Sequence, residues 1–78
     1  MSSMLEVYYR GPEDAARETR LTADVMAAGG RLDFREPSGA DGSSICLTFE
    51  FESRPQAESV AATLRQRGEH VEGVYDYT

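Results

Sequence analysis

Apolar and polar residues alternate in four short stretches of the chain and follow a helical period in two others. Leu5, Val7 and Tyr9 alternate with Glu6, Tyr8 and Arg10, the period-two signature of a half-buried strand. Gly11-Pro12 ends that strand, and Pro12 suits a first helical turn, where Glu13 and Asp14 put negative charge at the positive end of the helix dipole. On a helical wheel Ala15, Leu21, Thr22, Val25, Met26 and Ala28 fall on one side and Glu13, Arg17, Arg20 and Asp24 on the other, which predicts an amphipathic helix to about Ala28. Glu18 points toward the apolar side and is expected to reach water from its boundary. Gly29-Gly30 supplies a left-handed stop.

A second strand follows, with Leu32 and Phe34 inward and Arg31, Asp33 and Arg35 outward. Residues 37–44 (PSGADGSS) read as an exposed loop. The third strand is the clearest, with Ile45, Leu47, Phe49 and Phe51 on one side and Cys46, Thr48, Glu50 and Glu52 on the other. Ser53 with Gln56 forms a capping-box pattern, Pro55 sits in the first turn, and Ala57, Val60, Ala61 and Leu64 make a helical stripe closed by Gly68. In the last strand, from Glu69 to Tyr77, Val71, Tyr75 and Tyr77 share one parity and His70, Glu72, Val74 and Asp76 the other. A bulge at Gly73 would flip the faces beyond it.

The order β-α-β-β-α-β, with Leu5, Val7 and Tyr9 echoed 42 residues later by Leu47, Phe49 and Phe51, resembles the ferredoxin-like plait. That resemblance implies an α+β fold: a four-stranded antiparallel sheet in the order 4-1-3-2 with two helices on one face. Residues 1–3 are expected to be a disordered leader and 4–78 a single domain. The expected core is Leu5, Val7, Tyr9, Leu21, Val25, Leu32, Phe34, Ile45, Leu47, Phe49, Phe51, Val60, Leu64 and Val71. A regular hairpin across the 37–44 loop pairs Glu36 with Ile45, Phe34 with Leu47 and Leu32 with Phe49. On the other side it pairs Arg31 with Glu50, Asp33 with Thr48 and Arg35 with Cys46.

Composition narrows the chemistry. The 78 residues carry a net charge of −6, and all eight cations are arginine. Without lysine there is no phosphate-loop or Schiff-base lysine, and the acidic balance opposes nucleic-acid binding. A single cysteine forms no internal disulfide, and the longest uncharged apolar-leaning stretch, Val25 to Gly30, is far too short to cross a bilayer. These features point to a soluble cytoplasmic protein that binds neither nucleic acid nor membrane.

No motif points to catalysis, a cofactor or a metal. Cys46 lies on the polar parity of a central strand, with Arg35 expected opposite it and His70 two strands away, and reads as a structural thiol. His70 is the only histidine and reads as an exposed strand-end residue. The carboxylates of Glu6, Glu50, Glu52, Glu72 and Asp76 are expected on one sheet face, where Arg10, Arg31 and Arg35 would consume their charge in cross-strand pairs. The milder middle of that open face, Tyr8, Thr48, Cys46 and (absent a bulge) Val74, is the expected binding centre, rimmed by Arg10, Arg31, Glu50 and Glu72.

The element order is also similar to that of RNA-recognition motifs, but here Phe49 and Phe51 take the core parity and Glu50 and Glu52 the open face. Where heavy-metal-binding domains of this fold carry CxxC, this chain has Arg10-Gly11-Pro12-Glu13. It has no asparagine to match the acylphosphatase-like loop. Two expectations follow. The first is a small non-catalytic interaction or regulatory module that meets a protein partner, or a second copy, through its open sheet face or an edge strand. The second is a domain of ACT type that senses small molecules such as amino acids as a dimer, near residues 11–15.

Overall fold

The computed structural model describes residues 2–39 and 44–77. Its elements are β1 (Ser2–Tyr9), α1 (Ala15–Ala27), β2 (Arg31–Glu36), β3 (Ile45–Phe51), α2 (Arg54–Gln66) and β4 (His70–Tyr77). Met1 and the centre of the expected 37–44 loop lie outside the described residues. All pairings are antiparallel and the sheet order is β2-β3-β1-β4, the expected 4-1-3-2 read from the other edge. The central strands pair Leu5 with Phe49, Val7 with Leu47 and Tyr9 with Ile45, so their apolar sides coincide. Leu21 and Val25 of α1 and Ala57, Ala61 and Leu64 of α2 join Leu5, Val7, Leu47 and Phe49 in one core cluster, which puts both helices on the same sheet face. No helix among the described residues is long and apolar enough to cross a membrane.

Local chemistry fixes the helix ends. α1 starts at Ala15, later than the proline suggested, because Asp14 caps it by accepting the Arg17 amide at 3.0 Å. The Asp14 amide in turn donates to the Tyr9 hydroxyl at 2.9 Å, tying the cap to the end of β1. Ser53 caps α2 as expected, accepting from the Gln56 amide, with Pro55 in the first turn. Gly29, at φ +94°, ends α1 in the left-handed conformation.

Three expectations are corrected. Ser2 and Ser3 belong to β1, not to a leader: Ser3 is buried, pairs with Phe51, and donates through Oγ to Asp76 at 3.2 Å. Glu18 does not reach water. Its side chain keeps only 13% of its exposure, receiving Arg35 Nε at 2.6 Å and the Tyr9 hydroxyl.

The third correction concerns Leu32 and Phe34, expected in the core but 40% and 58% exposed. Arg31 pairs with Glu50 and Leu32 with Phe49 as expected, but the register then shifts, so that Phe34 meets Thr48, Arg35 meets Leu47 and Glu36 meets Cys46. Asp33 is the extra residue of a β-bulge, and every side chain after it changes face. Arg35 turns to the helix side, where it meets Glu18 and Glu13 of the α1 region. Phe34 turns to the open face. Leu32 keeps its expected side, but at the sheet edge α1 covers it only in part.

β4 has a matching irregularity. Its register with β1 slips between Met4–Tyr75 and Leu5–Gly73, leaving Val74 as the extra residue. Gly73 has φ +117°, and a Cβ there would stand 3.1 Å from the Met4 carbonyl oxygen, so glycine is required on both counts. Tyr75 therefore leaves the parity of Val71 and shares the open face with Met4.

Candidate functional site

The open face of the sheet can be read as three cross-strand rows running from β2 to β4. One is Arg31, Glu50, Met4 and Tyr75; the next is Phe34, Thr48, Glu6 and Glu72; the third is Glu36, Cys46, Tyr8 and His70. Of the expected binding centre, Tyr8, Thr48 and Cys46 come together here. Val74 does not: the bulge places it half-buried against the core cluster on the helix side. Among the expected rim residues, Arg31 and Glu50 form their cross-strand ion pair. Glu72 instead faces His70, at 3.0 Å from Nε2. Arg10 is exposed just beyond the end of β1, beside Tyr8, Ser44, His70 and Glu72.

Sequence reasoning missed the two largest apolar groups on this face. Phe34 and Tyr75 are 58% and 50% exposed, one on each edge strand, each immediately after a bulged residue. A glycine before Val74 signalled the second; RLDFRE carries no signal of the first.

The electrostatics of the centre oppose nucleophilic chemistry. Cys46 is buried, and burial, with Glu6 and Glu36 nearby, pushes its thiol above the ordinary range despite hydrogen bonding from Tyr8 and Thr48. The residue opposite it is Glu36, not the expected Arg35, so the cation that would stabilise a thiolate is absent. Desolvation raises the Tyr8 hydroxyl well above its usual value, and the Cys46 sulfur and Glu6 add to the effect. The Tyr8 and His70 rings meet edge to face with centroids 5.8 Å apart, fixing the tyrosine in place.

The expected row of carboxylates is only partly present. Glu6, Glu50 and Glu72 share the open face, whereas Asp76 pairs with Arg54 of α2 at 2.9 Å. Among the described residues no group of three or more acidic, histidine or cysteine side chains could hold a metal ion. Glu6 on the central strand β1 lies directly opposite Glu72 on the edge strand β4, two like charges side by side.

On the other side of the sheet Tyr9, Glu18 and Arg35 form a second polar cluster. Hydrogen bonds from Arg35, and then from Tyr9, hold the Glu18 carboxyl below the usual glutamate range. Burial and the bond to Glu18 push the Tyr9 hydroxyl up. Arg17 stacks over the Tyr9 ring at 4.9 Å and pairs with Glu69 at 2.6 Å. Every member is engaged by another member, as in a structural network. Compared with protein-family models, curated proteins and solved structures, the chain matches none.

Proposed function

We propose that this chain is a ferredoxin-like plait acting as a small, acidic, non-catalytic interaction module that meets a protein partner through its open sheet face. One observation carries the reading. A bulge in each edge strand turns Phe34 and Tyr75 outward, one on each side of Met4, Tyr8 and Thr48, at the expense of regular pairing in both strands. Aromatic side chains framed by polar residues are the usual chemistry of a binding centre.

The partner this face suits is basic. Glu6 and Glu72 stand opposite each other in the cross-strand row of Phe34, with Tyr75 further along the strand of Glu72, and the chain as a whole carries a charge of −6. An arginine or lysine from a partner would relieve their repulsion, while apolar groups beside it cover Phe34 and Tyr75. The test is capture from the native host by immobilised protein, comparing the parent with Tyr75→Ala, Tyr8→Ala and Arg20→Ala on the exposed side of α1. A specific partner should be retained by Arg20→Ala and lost from both tyrosine variants. Equal retention by all three would place the contact elsewhere.

A further inference from the structure

The two edges of the sheet are treated differently. On β4, α2 lays arginines against the strand: Arg65 donates to the carbonyls of Val71 and Gly73 at 3.2 and 3.1 Å, and Arg54 to that of Val74 at 3.4 Å. With their carbonyls taken by these arginines, the residues of that edge are blunted against further pairing. On β2, among the described residues, no side chain hydrogen-bonds to the strand backbone. Its flanks are apolar as well. Met26, Leu32 and Phe34 are 61%, 40% and 58% exposed, and Met26 and Leu32 line a groove of about 460 Å³ between α1 and β2.

We propose that β2 is a homodimer edge, at which two copies pair their β2 strands antiparallel about a two-fold axis and join their sheets into one of eight strands. The charge order of the strand favours a second copy. Arg31 lies at one end of β2 and Glu36 at the other, with Asp33 and Phe34 in the middle. A two-fold between Asp33 and Phe34 sets Arg31 of each copy across from Glu36 of the other, so both ends gain opposite charges and neither repels. Glu36 has no ion pair of its own among the described residues. The same contact sets both α1–β2 grooves on one side of the joint sheet, with Leu32 of each copy across from Arg35 of the other and Met26 beside the seam. It also explains why Leu32 has the sequence pattern of a core residue while one copy alone leaves it partly bare. A six-residue strand with one helix flank is a small interface, so the dissociation constant should lie in the micromolar range.

This edge shares only Phe34 with the aromatic face of the preceding section, and variants at Met26, Leu32 and Tyr75, which belong to one surface each, test the two separately. Sedimentation velocity over a concentration series should show reversible dimerisation of the parent. Met26→Lys, on an exposed position that leaves folding untouched, and Leu32→Lys should each weaken it about tenfold or more. Tyr75→Ala should leave it unchanged. Glu36→Arg alone should weaken association, and Arg31→Glu combined with Glu36→Arg should restore it. A parent that stays monomeric at the hundreds-of-micromolar concentrations of an NMR sample overturns the proposal. So does a dimer indifferent to Met26→Lys and Leu32→Lys, or one whose charge reversal is not rescued. Protection of the β2 amides by an unrelated extended peptide, without self-association, would assign the edge to a foreign strand and reject the second copy.

Discussion

Replacing Glu18 by leucine should move Phe34 into the core. Two registers compete for β2. The regular one sets Phe34 against Leu47 beneath the helices and Arg35 on the open face; the observed one inserts Asp33 as a bulge and exchanges those two side chains. The bulge leaves Phe34 58% exposed. Full burial of a phenylalanine is favourable by ~1.5–3 kcal/mol, so the exposed portion forfeits about 1–2 kcal/mol, in addition to a disturbed ladder hydrogen bond. What opposes this is Glu18. In the regular register Arg35 would leave it, and a largely enclosed carboxylate without its cation costs ~1–3 kcal/mol, more when charged. The two sides are close in size, and the paired carboxylate decides in favour of the bulge.

With leucine at position 18 that opposing cost vanishes. The Tyr9 hydroxyl loses its acceptor in either register, so that loss cancels. The exposed contact of Arg35 with Glu13 remains, but such pairs contribute little. Phe34 burial should then win by about 1–2 kcal/mol. The assay is a set of cross-strand NOEs in the variant: Arg35 should face Cys46 in place of Glu36, and the Phe34 ring should contact the Leu47 methyls. A Glu18→Leu protein that keeps Glu36 opposite Cys46 and Phe34 in solvent would refute the claim that Glu18 holds the bulge.

Other expectations are simpler to check. Phe49→Ala removes a fully buried ring from the central strand and should cost ~3–5 kcal/mol in urea denaturation, enough to unfold a small domain. Gly73→Ala should destabilise by more than about 1 kcal/mol, because it combines a positive φ with a clash against the Met4 carbonyl; a neutral result would mean that β4 has no bulge there. Because Glu18 titrates below its usual range in the folded protein, it stabilises the fold above the unfolded glutamate value, and that contribution is lost as pH falls through the folded one; a Glu18→Gln protein should show a flatter acid limb in thermal denaturation. Asp14→Ala should cost about 1 kcal/mol through loss of the α1 cap, measured by thermal or urea unfolding.

The parts of the fold legible in the sequence are those decided by neighbours in the chain. The alternation of ICLTFEF and LEVYY gave the central strands and their buried sides, and Ser53, Pro55 and Gly29 marked helix ends through purely local chemistry. The bulge in β2 is a different kind of fact. RLDFRE alternates without a flaw, and the reason for its break is a glutamate 17 residues from Arg35 on another element. Glu18 is conspicuous on the apolar side of its helix, where an enclosed carboxylate needs a cation. Arg35 could supply it only by exchanging faces with Phe34. The candidate site inherits the same limit. Tyr8, Thr48 and Cys46 follow from parity along regular strands, whereas Phe34 and Tyr75 reach the open face only through irregular ones.

Both outer strands are bulged but their edges are protected unequally, and both facts bear on the proposed function. Each bulge is followed by an exposed aromatic, Phe34 on β2 and Tyr75 on β4. Their joint effect is a face with an exposed aromatic on each outer strand and the Glu6–Glu72 pair beside them. Edge protection differs between the two strands. α2 provides Arg54 and Arg65 to the backbone of β4, while the long cations of α1, Arg17 and Arg20, do not reach β2, and Arg17 is spent on Tyr9 and Glu69. A protein that only needed to stay monomeric would gain from guarding both edges, since a bare strand with apolar flanks invites pairing. Leaving one open while capping the other limits assembly through sheet edges to a single closed step, a dimer rather than a growing filament, and that step sets two aromatic-flanked faces side by side on one continuous sheet.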